Sequence, residues 1–195
     1  MAGEPHGKPI VAIDPLWKRI GLRFLDRADA VSFLGSCAAI IYTRSAGVTY
    51  VPVCGLACSI SVKFLKKIIR QPRPAHPKQR KKTYGMPSTH SAVVAYFSTY
   101  VLLASARLPI HPSLPSSPLI TRTLPALVIV PWATLVACSR VWLGKHSWIQ
   151  VIAGCAYGAL FASVAFCVWT GGELSQYNDW TEGLMNHLLA TFLRI

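Results

Sequence analysis

The feature that most constrains this chain is a series of long apolar runs that carry almost no charge. These runs cover residues 28–42, 46–62, 91–106, 123–138 and 148–170. A helix that crosses the hydrocarbon core of a bilayer needs roughly 20 predominantly apolar residues, and the runs approach this length. The sequence of 195 residues is 52% hydrophobic. The pattern favours a membrane protein.

A soluble helical protein is the alternative, but its helices would alternate polar and apolar faces. The runs show no polar face of that kind. We therefore predict an all-α fold, a polytopic transmembrane bundle of about four to five spans. The run at 28–42 is short, so it either spans the membrane or forms one half of a tight hairpin with the next run.

The apolar runs divide the chain into three parts. Residues 1–27 form a polar N-terminal segment and 28–170 the transmembrane domain. Residues 171–195 form a C-terminal tail whose amphipathic pattern favours a position along the membrane surface. The first part is polar and interrupted by prolines, so we expect no cleavable signal peptide. All six cysteines fall inside apolar runs, which favours small packing residues over disulfides or a zinc site.

Basic residues crowd into the loop after the second apolar run, and three interpretations compete. The cluster could be a topology signal, a patch for anionic lipid headgroups, or part of a phosphate site. Nucleic-acid binding is disfavoured because no aromatic residues are interleaved for stacking. Within the cluster, Lys66 precedes Arg73 and Pro74 with the spacing K-x6-R-P. Pro72 and Pro74 should end the helix between them, which leaves one cation at a helix end and the other on a rigid turn, both able to face one anion.

The stretch "MPSTH" opens the third apolar run. It places Ser88 and Thr89 at the N-terminal edge of a helix, where free backbone N–H groups and the helix dipole favour an anion. His90 would lie beside that anion. The alternative is an ordinary serine N-cap followed by a histidine at the membrane interface.

A third cluster, "CSRVWLGKHSWIQV", joins the fourth and fifth runs. Arg140 precedes His146 by six residues, and Gln150 follows His146 by four, on the same helix face. The Gln150 carbonyl oxygen could accept a hydrogen bond from the imidazole and fix its tautomer. The alternative is a group of interfacial anchors. The order of the helices puts all three clusters on one side of the membrane, so a shared anion site is geometrically possible.

Together the three clusters resemble the motifs of the type 2 phosphatidic acid phosphatase (PAP2) superfamily, which read K-x6-R-P, P-S-G-H and S-R-x5-H-x3-D. Two positions depart from that pattern. Thr89 replaces the glycine, which keeps the backbone donor, and Gln150 replaces the aspartate, which removes a negative charge. The segments "YGMPSTHS", "KHSWIQV" and "QPRP" are most similar to the dolichyldiphosphatase branch.

The resemblance implies a role for each matched residue. His146 would attack phosphorus to form a phosphohistidine, Gln150 would orient its ring, and His90 would act as general acid and base. The residues that the resemblance implies as phosphate ligands are Lys66, Arg73, Arg140, Ser88 and Thr89. With three fixed cations neutralising the phosphate, neither a metal nor another cofactor is expected.

The resemblance also implies a substrate and a location. The expected substrate is dolichyl diphosphate or another polyprenyl diphosphate, with the bilayer as the partner and no nucleic acid or obligatory protein partner. Phosphatidate, diacylglycerol pyrophosphate and sphingoid-base phosphates are alternatives, as is a non-catalytic lipid-binding protein. The resemblance puts the site on the lumenal side of the endoplasmic reticulum membrane. The positive-inside rule would make that basic side cytosolic.

Overall fold

The computed structural model describes residues 16–74, 83–110, 114–172, 174 and 177–193, which are almost entirely helical. Across these ranges there is no β-strand, only an isolated bridge between Pro72 and Tyr84. A π-helical turn, Leu119–Thr123, leads into the fifth helix. The helices are α1 (Leu16–Asp26), α2 (Ala28–Thr43), α3 (Ala46–Ile69), α4 (Thr89–Arg107), α5 (Leu124–Trp142), α6 (Trp148–Thr170) and α7 (Asn178–Leu193).

Three helical segments in the described ranges are long and apolar enough to cross a membrane: Ala46–Ile69, Leu119–Trp142 and Trp148–Thr170. Helix α2 is apolar but only 16 residues long. Helix α4 has 19 residues but carries more polar side chains. The expected all-α bundle of membrane-crossing helices is confirmed, and the chain is a multi-pass membrane protein.

Helix α4 occupies the middle of the bundle and packs against α3, α5 and α6. Because it is surrounded by protein, it can bury polar side chains such as Ser91 and Ser98. The fully buried Tyr96 donates a hydrogen bond from its hydroxyl to the carbonyl oxygen of Val51, at 2.8 Å. Polar groups at membrane depth need such partners, since lipid offers none. The central position therefore explains why α4 is the less apolar helix.

Small residues let α4 and α6 approach closely. Gly154 and Gly158 lie one turn apart on the face of α6 that meets α4. A Cβ at Gly154 would come within 2.6 Å of the Ser88 carbonyl oxygen, and one at Gly158 would overlap the Ala92 carbonyl oxygen. The two backbones are in direct contact only because neither position carries a side chain.

The chain termini add a helix at each end of the bundle. The C-terminal tail forms α7, whose Glu182 accepts a hydrogen bond at 3.1 Å from the backbone N–H of Ala46 at the start of α3. Placement of α7 on the membrane surface stays a prediction. Helix α1, which the sequence analysis did not identify, exposes Leu16, Ile20 and Phe24 at a spacing of four residues.

We expect Gly158→Ala to destabilise the bundle, because the added methyl group would force α4 and α6 apart. Overpacking of a tight contact typically costs about 1–3 kcal/mol. Gly35 of α2 provides the matched control, since a Cβ there meets nothing within 4 Å. The thermal unfolding midpoint in detergent should fall for Gly158→Ala but not for Gly35→Ala. Equal midpoints for the two variants would contradict this account of the contact.

Candidate active site

The site lies at the end of the bundle where α3 and α5 finish and α4 and α6 begin. Helix α3 carries Lys66 in its last turn and ends at Ile69, and its C-cap Arg70 has a left-handed φ of 54°. This C-cap turns the chain into the extended segment that holds Arg73. The predicted helix end between the two motif cations is therefore confirmed.

A cavity of about 530 Å³ opens between α2, α3 and α4. Its polar part brings together five of the residues singled out from the sequence. These are Lys66, Arg73, Thr89, His90 and His146. Segments from three separate motifs thus meet around one space, as the shared-site hypothesis requires. The other residues that line the cavity are mostly apolar.

Arg73 has an unpaired donor at this cavity. Its Nε atom is buried and has no hydrogen-bond partner among the described residues. A buried donor without a partner typically costs about 1–3 kcal/mol, and more for a charged group. An anion that enters the cavity could satisfy this donor.

Gln150 links the first and third motifs. Its Nε2 donates to the carbonyl oxygen of Pro72 at 2.8 Å, and lies 3.2 Å from Gln71 Oε1. Because both partners accept, the amide orientation is fixed and Gln150 Oε1 faces His146 Nδ1 at 3.3 Å. His146 Nδ1 then carries the hydrogen, and the lone pair of the neutral imidazole resides on Nε2.

Gly85 makes this arrangement possible. A Cβ at this position would come within 2.6 Å of the Gln150 amide, so any side chain here would displace the amide. The backbone N–H of Gly85 also donates to the carbonyl oxygen of Gln71, at 2.7 Å. The glycine of "YGMP" therefore holds the second motif against the first and third.

The electrostatic environment keeps His146 neutral. Burial and the nearby positive charges of Arg73 and Lys66 lower the pKa of His146 to about 4, although its hydrogen bonds to Gln150 and the Gly85 backbone act in the opposite direction. The ordinary value is about 6.5. At neutral pH the imidazole is therefore uncharged, the form in which a ring nitrogen can act as a nucleophile.

Ser88 acts as the N-cap of α4. Its hydroxyl oxygen accepts from the Ser91 backbone N–H at 3.5 Å and from the Ser91 hydroxyl at 2.9 Å. Its own backbone N–H donates to the carbonyl oxygen of Gln150 at 3.0 Å. The side chain is fully buried and does not line the cavity. A direct role of Ser88 in binding phosphate stays a prediction.

Arg140 also lies away from the cavity lining. Its guanidinium is 1% exposed and donates to Asp26 Oδ1 at 2.9 Å, to the Leu25 carbonyl oxygen at 2.8 Å and to the Ser139 hydroxyl. Lys145 contacts the same Asp26 oxygen at 2.5 Å. Most of the donors of Arg140 are thus occupied by protein groups, and its predicted contact with phosphate would require some of them to be released.

Asp26 is the residue that sequence reasoning missed. Burial acts to raise its pKa, but hydrogen bonds and charges from Lys145 and Arg140 outweigh that effect and lower it. It lies in α1, outside every motif, 114 positions from Arg140. No local spacing in the sequence could have indicated the contact. The described residues include no group of three or more His, Cys, Asp or Glu side chains placed to hold a metal ion.

Comparison with known proteins gives a family match to this arrangement. The family model described as PAP2 superfamily matches residues 47–171, which contain all three motifs. The chain belongs to the PAP2 superfamily. The fold agrees with a crystal structure of a transmembrane PAP2-type phosphatidylglycerolphosphate phosphatase from Bacillus subtilis. The TM-score is 0.61 at 22% identity, covering 78% of this chain and 77% of that one.

Curated PAP2 relatives include dolichyldiphosphatase 1. The protein from Rhinolophus ferrumequinum is 34% identical over 74% of this chain and 62% of its own length. The protein from Homo sapiens is 33% identical over 76% of this chain and 63% of its own length. Sphingosine-1-phosphate phosphatase 1 of Rattus norvegicus is 36% identical over 52% of this chain and 23% of its own length. The chain thus spans less than two thirds of the length of these relatives.

We expect Asp26→Ala to destabilise the PAP2 fold, because it leaves the buried Arg140 charge without its carboxylate. Breaking a fully buried ion pair by removing one partner costs roughly 3–5 kcal/mol of stability. Because Asp26 is partly exposed, we expect a smaller loss of stability here. Asp179, exposed on α7, is the control. The thermal unfolding midpoint should fall for Asp26→Ala and stay unchanged for Asp179→Ala. An unchanged midpoint for Asp26→Ala would show that Arg140 has other sufficient partners.

We expect the His146 imidazole to titrate near pH 4 in the ligand-free protein. Histidine NMR signals in detergent, assigned by their loss in His146→Asn, would measure it. Between pH 6.5 and 4 the unfolded chain binds the extra proton and the folded chain does not. The contribution of His146 to stability is therefore complete above pH 6.5 and is lost as the pH falls toward 4. Titration at pH 6.5 or above would contradict the buried position beside two cations.

Proposed function

We propose that this protein is an integral membrane lipid phosphatase that hydrolyses a polyprenyl diphosphate, dolichyl diphosphate being the leading candidate. The observation that carries the proposal is the unpaired, buried Nε of Arg73 beside a neutral His146 in a basic cavity. Buried cations with free donors suit an anion, and the uncharged imidazole suits nucleophilic attack.

In the first proposed step, His146 Nε2 uses its lone pair to attack the terminal phosphorus of the substrate. The bond from that phosphorus to the bridging oxygen breaks, and the leaving lipid monophosphate takes a proton from His90. Lys66 and Arg73 neutralise the oxygens of the transferred phosphoryl group. Gln150 holds the Nδ1–H of His146, so that Nε2 stays the nucleophilic nitrogen.

In the second step water replaces the histidine. His90, now neutral, takes a proton from the water as the water oxygen attacks phosphorus. The bond between phosphorus and His146 Nε2 breaks, which releases inorganic phosphate and restores the starting protonation of both imidazoles. The role of His90 rests on its position in the cavity wall beside the N-terminus of α4.

The apolar part of the cavity wall supports a lipid substrate. Below the cations its walls are formed by apolar side chains that include Phe33, Leu56 and Phe97. A hydrocarbon tail could pass along these side chains while the phosphate stays at the basic mouth. The exposed apolar surface of α2, which forms one wall, would face the bilayer from which such a substrate enters.

Two candidate substrates are supported by relatives. Dolichyldiphosphatase 1 proteins match three quarters of the chain, which favours a polyprenyl diphosphate and a role in recycling the carrier lipid of protein N-glycosylation. Sphingosine-1-phosphate phosphatase 1 matches a shorter part at similar identity, so a sphingoid-base phosphate is the second candidate. Location in the endoplasmic reticulum membrane with a lumenal site is part of the same proposal.

The test is phosphate release by detergent-purified protein from dolichyl diphosphate and sphingosine 1-phosphate, measured side by side with His146→Asn as the blank. We expect release from the diphosphate to be faster and to persist in EDTA, because Lys66 and Arg73 neutralise the phosphate. Loss of His146 should reduce the rate by at least about 10³-fold, as expected for a nucleophile.

Each other result would change the proposal in a defined way. Faster release from sphingosine 1-phosphate would keep the mechanism and replace the substrate. Strict dependence on added magnesium would contradict the proposed phosphate neutralisation. If neither lipid releases phosphate in a way that depends on His146, both candidate substrates are wrong, and phosphatidate, diacylglycerol pyrophosphate or a non-catalytic lipid-binding role would be left.

A further inference from the structure

We infer that Lys63 binds the non-transferred phosphate of a diphosphate and sets the preference of this site for diphosphates over monophosphates. The inference deepens the proposed function and rests on it for the identity of the lipid. It concerns a lysine that lies outside the three PAP2 motifs. Lys63 lies in the wall of the same cavity as Lys66, Arg73 and His146.

The geometry of α3 orders the two lysines along the cavity. Residues at a spacing of three and four form one helix face, and the face of α3 that lines the cavity carries Pro52, Leu56, Ser59, Lys63 and Lys66. This face runs from apolar residues in the first half of α3 to basic residues near its C-terminal end. Lys63 lies about 4.5 Å below Lys66 along the helix axis.

This order matches the order of groups in a lipid diphosphate. The terminal phosphate, which His146 would attack, belongs beside Lys66 and Arg73. The phosphate that stays on the lipid lies between it and the tail, on the side of Lys63. The long lysine stem lets the ammonium group of Lys63 reach up toward the mouth while its carbons stay along the apolar wall.

Charge also favours this assignment. A phosphate monoester carries about −1.5 to −2 charges near neutral pH, and a diphosphate carries more. The cavity wall supplies Lys63, Lys66 and Arg73, whereas the fourth nearby cation, Arg140, is held by Asp26. No acidic residue lies among the cavity-lining residues that the structure describes. A third cation without a carboxylate partner in this wall matches the additional charge of a diphosphate.

The alternative is that Lys63 is a solvated cation at the membrane interface with no ligand. Lys67, one turn further along α3, is the matched control for this reading. Both lysines are exposed, but Lys67 does not line the cavity and places its ammonium group 5.7 Å from the centre of the Phe64 ring. The two lysines have the same chemistry and lie on the same helix, but only Lys63 of the two lines the cavity.

The first test measures binding of inorganic pyrophosphate and orthophosphate to the purified protein by calorimetry. The wild type should prefer pyrophosphate, and Lys63→Gln should reduce that preference by about tenfold, the effect of one charged hydrogen bond. Lys63→Arg should retain most of the preference, and Lys67→Gln all of it. An unchanged preference in Lys63→Gln, or none in the wild type, would overturn the inference.

The second test compares two substrates that carry the same tail, geranylgeranyl diphosphate and geranylgeranyl monophosphate. The ratio of kcat/KM for the diphosphate to kcat/KM for the monophosphate should fall about tenfold in Lys63→Gln and stay unchanged in Lys67→Gln. If both ratios equal that of the wild type, Lys63 does not select the diphosphate, although the phosphatase function stands. If neither lipid is hydrolysed, the proposed function fails, and the anion-binding measurement alone decides the role of Lys63.

Discussion

The rest of the structure depends on the close contact between α4 and α6. The missing side chains of Gly154 and Gly158 let the two backbones touch, and the Ser88 N–H then reaches the Gln150 carbonyl oxygen. This one contact aligns the start of the helix that carries His90 with the start of the helix that follows His146. A membrane offers little hydrophobic drive for helix association, so close packing of this kind must supply much of the attraction.

Electrostatics imposes a second constraint. None of the seven acidic residues lies between positions 30 and 172, so helices α3 to α6 hold their cations without any carboxylate of their own. Asp26, just before α2, supplies the negative charge that pairs with the buried Arg140. The remaining cations at the cavity are left for a ligand. A site without substrate therefore carries an excess of positive charge at the membrane interface.

Sequence reasoning predicted the parts of the site that follow from helix periodicity and motif spacing. Lys66, Arg73, His90 and His146 meet as expected because each lies at a helix end on one side of the bundle. The hydrogen bond from His146 to Gln150 followed from their spacing of four residues. The orientation of Arg140 could not be predicted, because its partner lies in a helix far away in sequence. For the same reason the second function of Gln150, its hydrogen bond to Pro72, was not visible.

The described residues on either side of the basic segment are hydrogen-bonded to each other. The Pro72–Tyr84 bridge, the Gly85 hydrogen bond to Gln71 and the Gln150 hydrogen bond to Pro72 close the segment at its base. The position of Arg73 relative to Ser88 is therefore set by described residues on both sides of this segment. PAP2 proteins that keep Pro72, Gly85 and Gln150 should consequently keep the geometry of the first two motifs even where the rest of their sequence has diverged.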